Sequence, residues 1–321
     1  MGRRGLATLV GLVVLAVAAY VGWRVVEDTV RPYLSGEECI GEVDGLEVSL
    51  TPEQAENAAL ITALSIRRGM PARAATIALA TAYQESKLYN IESGDRDSLG
   101  LFQQRPSQGW GTTEQILDPS YATNAFYDAL AKVEGYETMP VTEAAQEVQR
   151  SAYPDAYADH EADARVLASA LTGNSPRAFH CIVDPDDSDA PDRLRKSGLT
   201  KRADAVRRDL DVAFGTLSMG GFAPGGVRDG HQEGSTHYDG RAVDIFVRPL
   251  SPENNKRGWA VAHYLVAMAD RFSIQNVIFD GRIWTSGGRA DEGWRDYDPP
   301  ARSGDPAILE HRDHVHVDVF D

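Results

Sequence analysis

Ser235-Thr-His237-Tyr-Asp-Gly240-Arg-Ala242-Val-Asp244 places an imidazole and a carboxylate seven residues apart, and Asp313-His314-Val-His316 adds two imidazoles at alternate positions. Neutral imidazole nitrogen and carboxylate oxygen are donors that one divalent ion such as zinc accepts, and three protein donors leave a fourth position for water. Six of the chain's eight histidines fall between His231 and His316, which favours a constellation over scattered core and surface imidazoles. Read as a strand, His314-Val-His316 turns both imidazoles to one face and Val315 and Val317 to the core. Residues 241–247, 274–279 and 315–320 are short, β-branched and bounded by turn residues, whereas 200–214 and 255–272 carry helical periodicity. Residues 199–321 therefore read as an α+β domain.

Upstream the composition changes. Residues 174–198 include Asp184-Pro-Asp-Asp-Ser-Asp-Ala-Pro191-Asp192, an acidic, proline-bearing run typical of exposed linkers. Residues 51–173 read as helical. Thr51-Pro-Glu-Gln54 supplies an N-cap, a proline at the first helical position and a capping-box glutamine; apolar residues then recur up to Ile66 before a stop at Gly69. A second, alanine-rich helix is expected from Ala72 to Lys87, with further helical periods over 120–134, 142–149 and 159–171. No strand is evident before residue 173, so this half reads as all-α.

Ahead of it, residues 5–23 form a run of 19 without a charge between Arg3-Arg4 and Arg24, the length of a membrane-spanning helix with a cytoplasmic N-terminus. The expected layout is a multi-domain, single-pass protein of the cell membrane. A transmembrane anchor covers 5–26, an acidic stalk 27–50, and both domains are extracytoplasmic; secretion after cleavage near Ala16-Val-Ala18 is the alternative. A formal charge of −16, from 32 Lys+Arg against 48 Asp+Glu, argues against nucleic acid or anionic lipid as the main partner. Cys39 and Cys181 are the only cysteines and lack a metal-type spacing; in an exported chain they can form one disulfide.

In the helical half, Glu85-Ser86 closes the second helix and a glycine-bearing stretch, Gly94 to Gln104, follows. A glutamate at the end of an apolar helix is partly desolvated, which raises its pKa and keeps a proton for a leaving-group oxygen. Glu85-Ser86 followed by Gly100-Leu101-Phe102-Gln103 resembles the lysozyme-like lytic transglycosylases, whose pattern is Glu-Ser, then Gly-Leu-Met-Gln. The resemblance covers about residues 52–172, with Phe102 in the methionine position. It implies a lysozyme-type fold, with Glu85 as general acid and base on the MurNAc–GlcNAc bond of peptidoglycan. It also implies Gly100, Leu101 and Gln103 along the glycan cleft, and Tyr153 of Ala152-Tyr153-Pro154 at the place of the family's Ala-Tyr-Asn. A hydrolysing muramidase needs a second carboxylate, for which Asp95 and Asp97 are the nearby residues, whereas a transglycosylase needs one. Both chemistries stay open.

Ser-x-His-x-x-Gly-x-Ala-x-Asp over 235–244, with His-Val-His downstream, resembles the D-Ala-D-Ala metallopeptidases, which share their fold with lysostaphin-type endopeptidases and hedgehog domains. This resemblance covers about residues 200–321. It implies one zinc ion on His237, Asp244 and His316, with His314 beside it for acid/base work or oxyanion stabilisation. An arginine upstream of the first ligand serves the anionic transition state in that family, a role that falls on Arg228. Where many members have Glu-x-x-His-Trp, this chain has Asp313 three residues before His316, so His314 and Asp313 are both candidates for general base. Trp284, Trp294 and Tyr297 read equally as cleft rim or as core. Together the two resemblances imply a membrane-anchored peptidoglycan hydrolase that cuts glycan strands and stem peptides. The alternative is a wall-binding or scaffolding protein with one or both sites inactive.

Overall fold

Asp44 and Gly45 both take positive φ, 54° and 78°. Two such residues in a row make a hairpin turn whose twist matches that of its flanking strands. The turn joins β1 (Glu38–Val43) to β2 (Leu46–Leu50), and β1 pairs on its other edge with β3 (Phe179–Ile182). The result is an antiparallel sheet ordered β2-β1-β3. Cys39 faces Cys181 in the β1–β3 register, and a disulfide joins them.

The computed structural model describes residues 36–151, 155–185, 187–188, 193–299 and 304–321. The apolar run at 5–23 and residues 27–35 of the expected stalk lie outside these. Among the described residues no helix is long and apolar enough to cross a membrane. The expected class, a transmembrane helix followed by an all-α domain and an α+β domain, is therefore corrected: the fold is α+β, and its first half carries a sheet. The stretch read as stalk supplies the hairpin, and the stretch read as linker supplies β3. Acidic composition masked the Asp-Gly turn and the flanking alternation.

The helices follow their local signals. α1 (Pro52–Arg67) begins at the capping box: Gln54 N–H donates to Thr51 Oγ1 at 3.4 Å and Thr51 N–H to Gln54 Oε1 at 2.9 Å. α2 (Ala72–Ser86) is followed by Lys87 in the left-handed region at φ 56°. Ala74, Ala75, Ala78, Ala80 and Ala82 of α2 are buried, and their small side chains let α1 and, further on, α5 (Glu161–Leu171) approach closely. α3 (Pro119–Leu130) and α4 (Val141–Gln149) complete the bundle.

The second half is a six-stranded antiparallel sheet ordered β4-β5-β9-β6-β7-β8. Its strands are β4 (Met219–Gly220), β5 (Ala242–Phe246), β6 (Ile274–Phe279), β7 (Arg282–Thr285), β8 (Arg295–Asp296) and β9 (His314–Val319). α6 (Lys201–Phe214) and α7 (Pro252–Ala267) cover it. β9 is central and buried along its whole length, as its valines require. One continuous core runs through both halves, with α7 packed on α1, α5 and β3. His263 of α7, which burial pushes down to about 4 and so keeps neutral, donates from Nδ1 to Ala170 O at 2.8 Å. Trp284 and Trp294 donate their indole N–H to Cys181 O and Phe179 O, at 3.1 and 2.7 Å. Both tryptophans are therefore seam residues rather than cleft rim.

Glu56 of α1 lies on the same seam, 3.7 Å from Arg271. Burial pushes its carboxyl up to about 7, against the pull of Arg271. A carboxyl raised in the folded state contributes stability below its unfolded pKa near 4.5 and loses that contribution as pH rises through about 7. Glu56→Gln is therefore expected to flatten the fall in stability between pH 5 and 8, by about 3 kcal/mol at most. Chemical denaturation of both proteins at the two pH values checks this. Parallel wild-type and variant profiles would contradict it.

Candidate metal centre and glutamate site

β5 and β9 pair with Asp244 opposite His316 and Phe246 opposite His314. Two-residue alternation then brings His314, His316 and Asp318 to the face that carries Asp244. His237 enters from the turn before β5, and its Nδ1–H donates to Gly221 O at 2.8 Å, leaving Nε2 as the inward lone pair. Gly221 has φ +77°, and a Cβ there would stand 2.3 Å from the His237 ring, so glycine is required.

His237 Nε2 lies 3.2 Å from Asp244 Oδ1 and 3.2 Å from His316 Nδ1; His316 Nδ1 lies 3.0 Å from Asp244 Oδ1. Donors at about 2.0–2.2 Å around a tetrahedral zinc stand roughly 3.3 Å apart, so this triangle fits one such ion. All three side chains are buried. His231 also stands within reach, its ligand atom within 4.8 Å of those of His237 and Asp244. Burial opposes charge on His316, but hydrogen bonds to Asp244 and Asp318 prevail and push it up to about 10. Burial likewise opposes charge on Asp244, yet the imidazoles of His237 and His316 beside it hold its carboxyl well below the usual range. A metal must therefore displace the His316 proton on binding.

The other ring nitrogen of His316, Nε2, lies 3.3 Å from Asp318 Oδ2, and Asn276 Nδ2 donates to Asp318 Oδ1 at 2.9 Å. A carboxylate holding the distal N–H fixes the tautomer that turns Nδ1 to the centre of the triangle. Asp318→Ala is expected to weaken zinc binding about 10- to 100-fold, with Asp318→Asn intermediate. Chelator competition measures this; equal affinities would remove Asp318 from the site.

His314 donates from Nδ1 to Asp313 Oδ1 at 2.7 Å, and Arg248 Nε donates to Asp313 Oδ2 at 2.6 Å. Both Asp313 oxygens are thus engaged, and His314 Nε2 is left facing the centre, 3.8 Å from Asp244 Oδ1. Asp313 precedes the first residue of β9, so strand alternation does not carry it to the opposite face. A cleft of about 360 Å³ opens over the cluster, lined in part by His231, Arg248, Tyr297 and His311. Arg228 is exposed on the preceding loop and is not among the residues lining the cleft; Arg248 supplies the guanidinium there. Sequence reading missed Arg248, Gly221, Asp318 and His231. Only His231 carried a local signal, as part of the histidine cluster.

In the other half, Glu85 sits half-buried at the end of α2, and Tyr157 Oη donates to its Oε1 at 2.7 Å. Burial raises the Glu85 pKa, and hydrogen bonds from Tyr157 and Gln149 pull it back only in part. Gln149 also donates to Phe102 O at 2.8 Å, and Ser86 Oγ to Leu101 O at 2.8 Å. These bonds explain the motif spacing, since they clamp the Gly-Leu-Phe-Gln turn against the glutamate helix. Leu101 is fully buried, and Gly100, at φ +73°, is held so close to Ile116 O that a Cβ would stand 2.6 Å from it; Gln103 is half-buried. Asp97 accepts from Arg105 at 2.7 Å and from Ser107 N–H at 2.9 Å, and the Ser107 bonds chiefly hold its carboxyl well below the usual range. Asp95 is exposed beside Arg96. Tyr153 lies outside the described residues. The tyrosine on Glu85 belongs to Ala156-Tyr157, a second Ala-Tyr four residues on.

Fold and site together define an α+β chain with a buried His/Asp/His cluster on an antiparallel sheet and a separate desolvated glutamate. Residues 195–307 match the family model described as VldE, C-terminal domain. The match spans well under half of the chain and ends before His314 and His316. No curated protein matches the chain.

Proposed function

We propose that this chain is a peptidoglycan hydrolase with two sites, a zinc peptidase centred on His237, Asp244 and His316 and a glycan-cleaving site centred on Glu85. The observation that carries the reading is the donor triangle with His314 aimed beside it. A zinc ion held there would supply Lewis-acid polarisation of a peptide carbonyl and acidification of water. His314 Nε2 takes the proton of the attacking water and returns it to the leaving amine; Asp313 holds the ring by Nδ1–H and stabilises the imidazolium, and Arg248 holds Asp313. His314 is thus the base and Asp313 its positioning residue.

On the glycan, Glu85 protonates the glycosidic oxygen. As a carboxylate it then takes the proton of the sugar's C6 hydroxyl, which closes the anhydro ring. The side chains bonded to Glu85 are Tyr157 and Gln149, neither of them a carboxylate, and Asp97 is committed to its own turn. This favours the one-carboxylate transglycosylase over a muramidase. The Cys39–Cys181 disulfide supports an oxidising, extracytoplasmic compartment, where that polymer lies.

Mass spectrometry of peptidoglycan digested by the chain tests the reading. Anhydro-muramyl ends and newly freed peptide amines are expected. Reducing ends alone would replace the transglycosylase by a muramidase, and an undigested polymer would overturn the enzymatic reading.

A further inference from the structure

Asp318, which lies against the far nitrogen of the His316 ring, ends a longer row of polar side chains. Asn276 stands opposite Asp318 in the β6–β9 register and opposite Thr285 in the β6–β7 register, so the row crosses three strands. Asn276 Nδ2 donates to Asp318 Oδ1 at 2.9 Å, and Thr285 Oγ1 donates to Asn276 Oδ1 at 2.9 Å. Arg295 Nη2, on the edge strand β8, donates to Thr285 Oγ1 at 2.6 Å. Glu292 holds Arg295 in turn: its Oε2 lies 3.3 Å from Arg295 Nε and accepts from Arg289 Nη2 at 2.8 Å. The row therefore runs from the His/Asp/His cluster to an exposed ion pair at the sheet edge.

The chemistry of its members gives the row one direction. A guanidinium has no acceptor, so the Thr285 hydroxyl must receive the Arg295 bond and aim its single hydrogen at Asn276. The Asn276 atom facing Thr285 is then the carbonyl oxygen, and the amide NH2 is turned to Asp318. With Asp318 Oδ1 filled by that amide, Oδ2 is left for His316 Nε2, 3.3 Å away. A reversed Asn276 amide would set its oxygen against the carboxylate. Thr285 and Asn276 can each donate or accept, and only the donor-only Arg295 forbids the reversal.

We infer that Arg295, acting through Thr285 and Asn276, is a positioning residue of the metal centre. It fixes which oxygen of Asp318 holds the His316 ring, and so keeps His316 Nδ1 turned to the triangle. The inference rests on the metal reading above.

Thr285→Val keeps the branched shape and removes the hydroxyl, whereas Thr285→Ser keeps the hydroxyl, so the pair separates the row from packing. Chelator competition should show zinc affinity about tenfold lower in Thr285→Val and in Arg295→Met, and within about twofold of wild type in Thr285→Ser. Thr285→Val combined with Arg295→Met should lose no more than either alone, because one broken link already frees the amide. In the metal-free protein, NMR should find the Asn276 side-chain amide protected from exchange in wild type and Thr285→Ser, with that protection lost in Thr285→Val. Wild-type affinity in Thr285→Val, an equal loss in Thr285→Ser, additive losses in the double variant, or an amide equally protected in all three proteins would overturn the inference and leave the metal centre standing. A wild type that takes up no zinc would overturn the metal centre and the role of Arg295 together.

Discussion

His237→Ala is expected to abolish zinc uptake and stem-peptide cleavage together, with glycan cleavage unaffected. The substitution removes one corner of a triangle whose edges are 3.0 to 3.2 Å, and the remaining pair, Asp244 and His316, offers one carboxylate and one imidazole. Two donors hold zinc poorly, and a carboxylate left beside a protonated His316 closes into an ion pair instead. His314→Ala should behave differently. Its ring faces the centre without belonging to the triangle, so zinc stays bound while peptide cleavage falls about 10²- to 10⁴-fold, the range of a lost general base. Metal analysis alongside assays of both bonds separates the two variants. Zinc retained by His237→Ala, or lost by His314→Ala, would reassign the ligands.

Glu85→Gln should lower glycan cleavage by at least about 10²-fold and leave peptide cleavage and zinc content as they are. Glutamine keeps the shape and can accept from Tyr157, but it has no proton to give the leaving oxygen. Because burial raises the Glu85 pKa, the protonated acid persists to higher pH than an exposed glutamate would allow. The glycan-cleaving rate should then fall as pH rises through that pKa. Tyr157→Phe removes a hydrogen bond that stabilises the carboxylate, so it should shift this fall to higher pH. Digests followed by mass spectrometry across a pH series measure both effects. Glycan cleavage that survives in Glu85→Gln would move the chemistry elsewhere.

Local grammar in the sequence made the helices and the ligand pairings legible. Thr51 and Gln54 sit three residues apart and cap each other, and His314 and His316 sit two apart and share a strand face. The hairpin at Asp44-Gly45 was equally local, but acidic neighbours suggested a stalk. What stayed hidden depends on tertiary contact. Gly221 matters only because the His237 ring occupies the space of its Cβ, and Asp318 only because β9 turns it towards the far nitrogen of His316. Arg248 reaches Asp313 across 65 residues, and Tyr157 reaches Glu85 across 72. A continuous core across both halves could not be foreseen either, since α7 packs on helices far earlier in the chain.

Anomalous diffraction at the zinc edge from crystals of the zinc-loaded protein tests the metal centre most directly. One strong peak is expected about 2.0–2.2 Å from His237 Nε2, Asp244 Oδ1 and His316 Nδ1. No peak inside that triangle, or zinc bound only elsewhere on the surface, would contradict it.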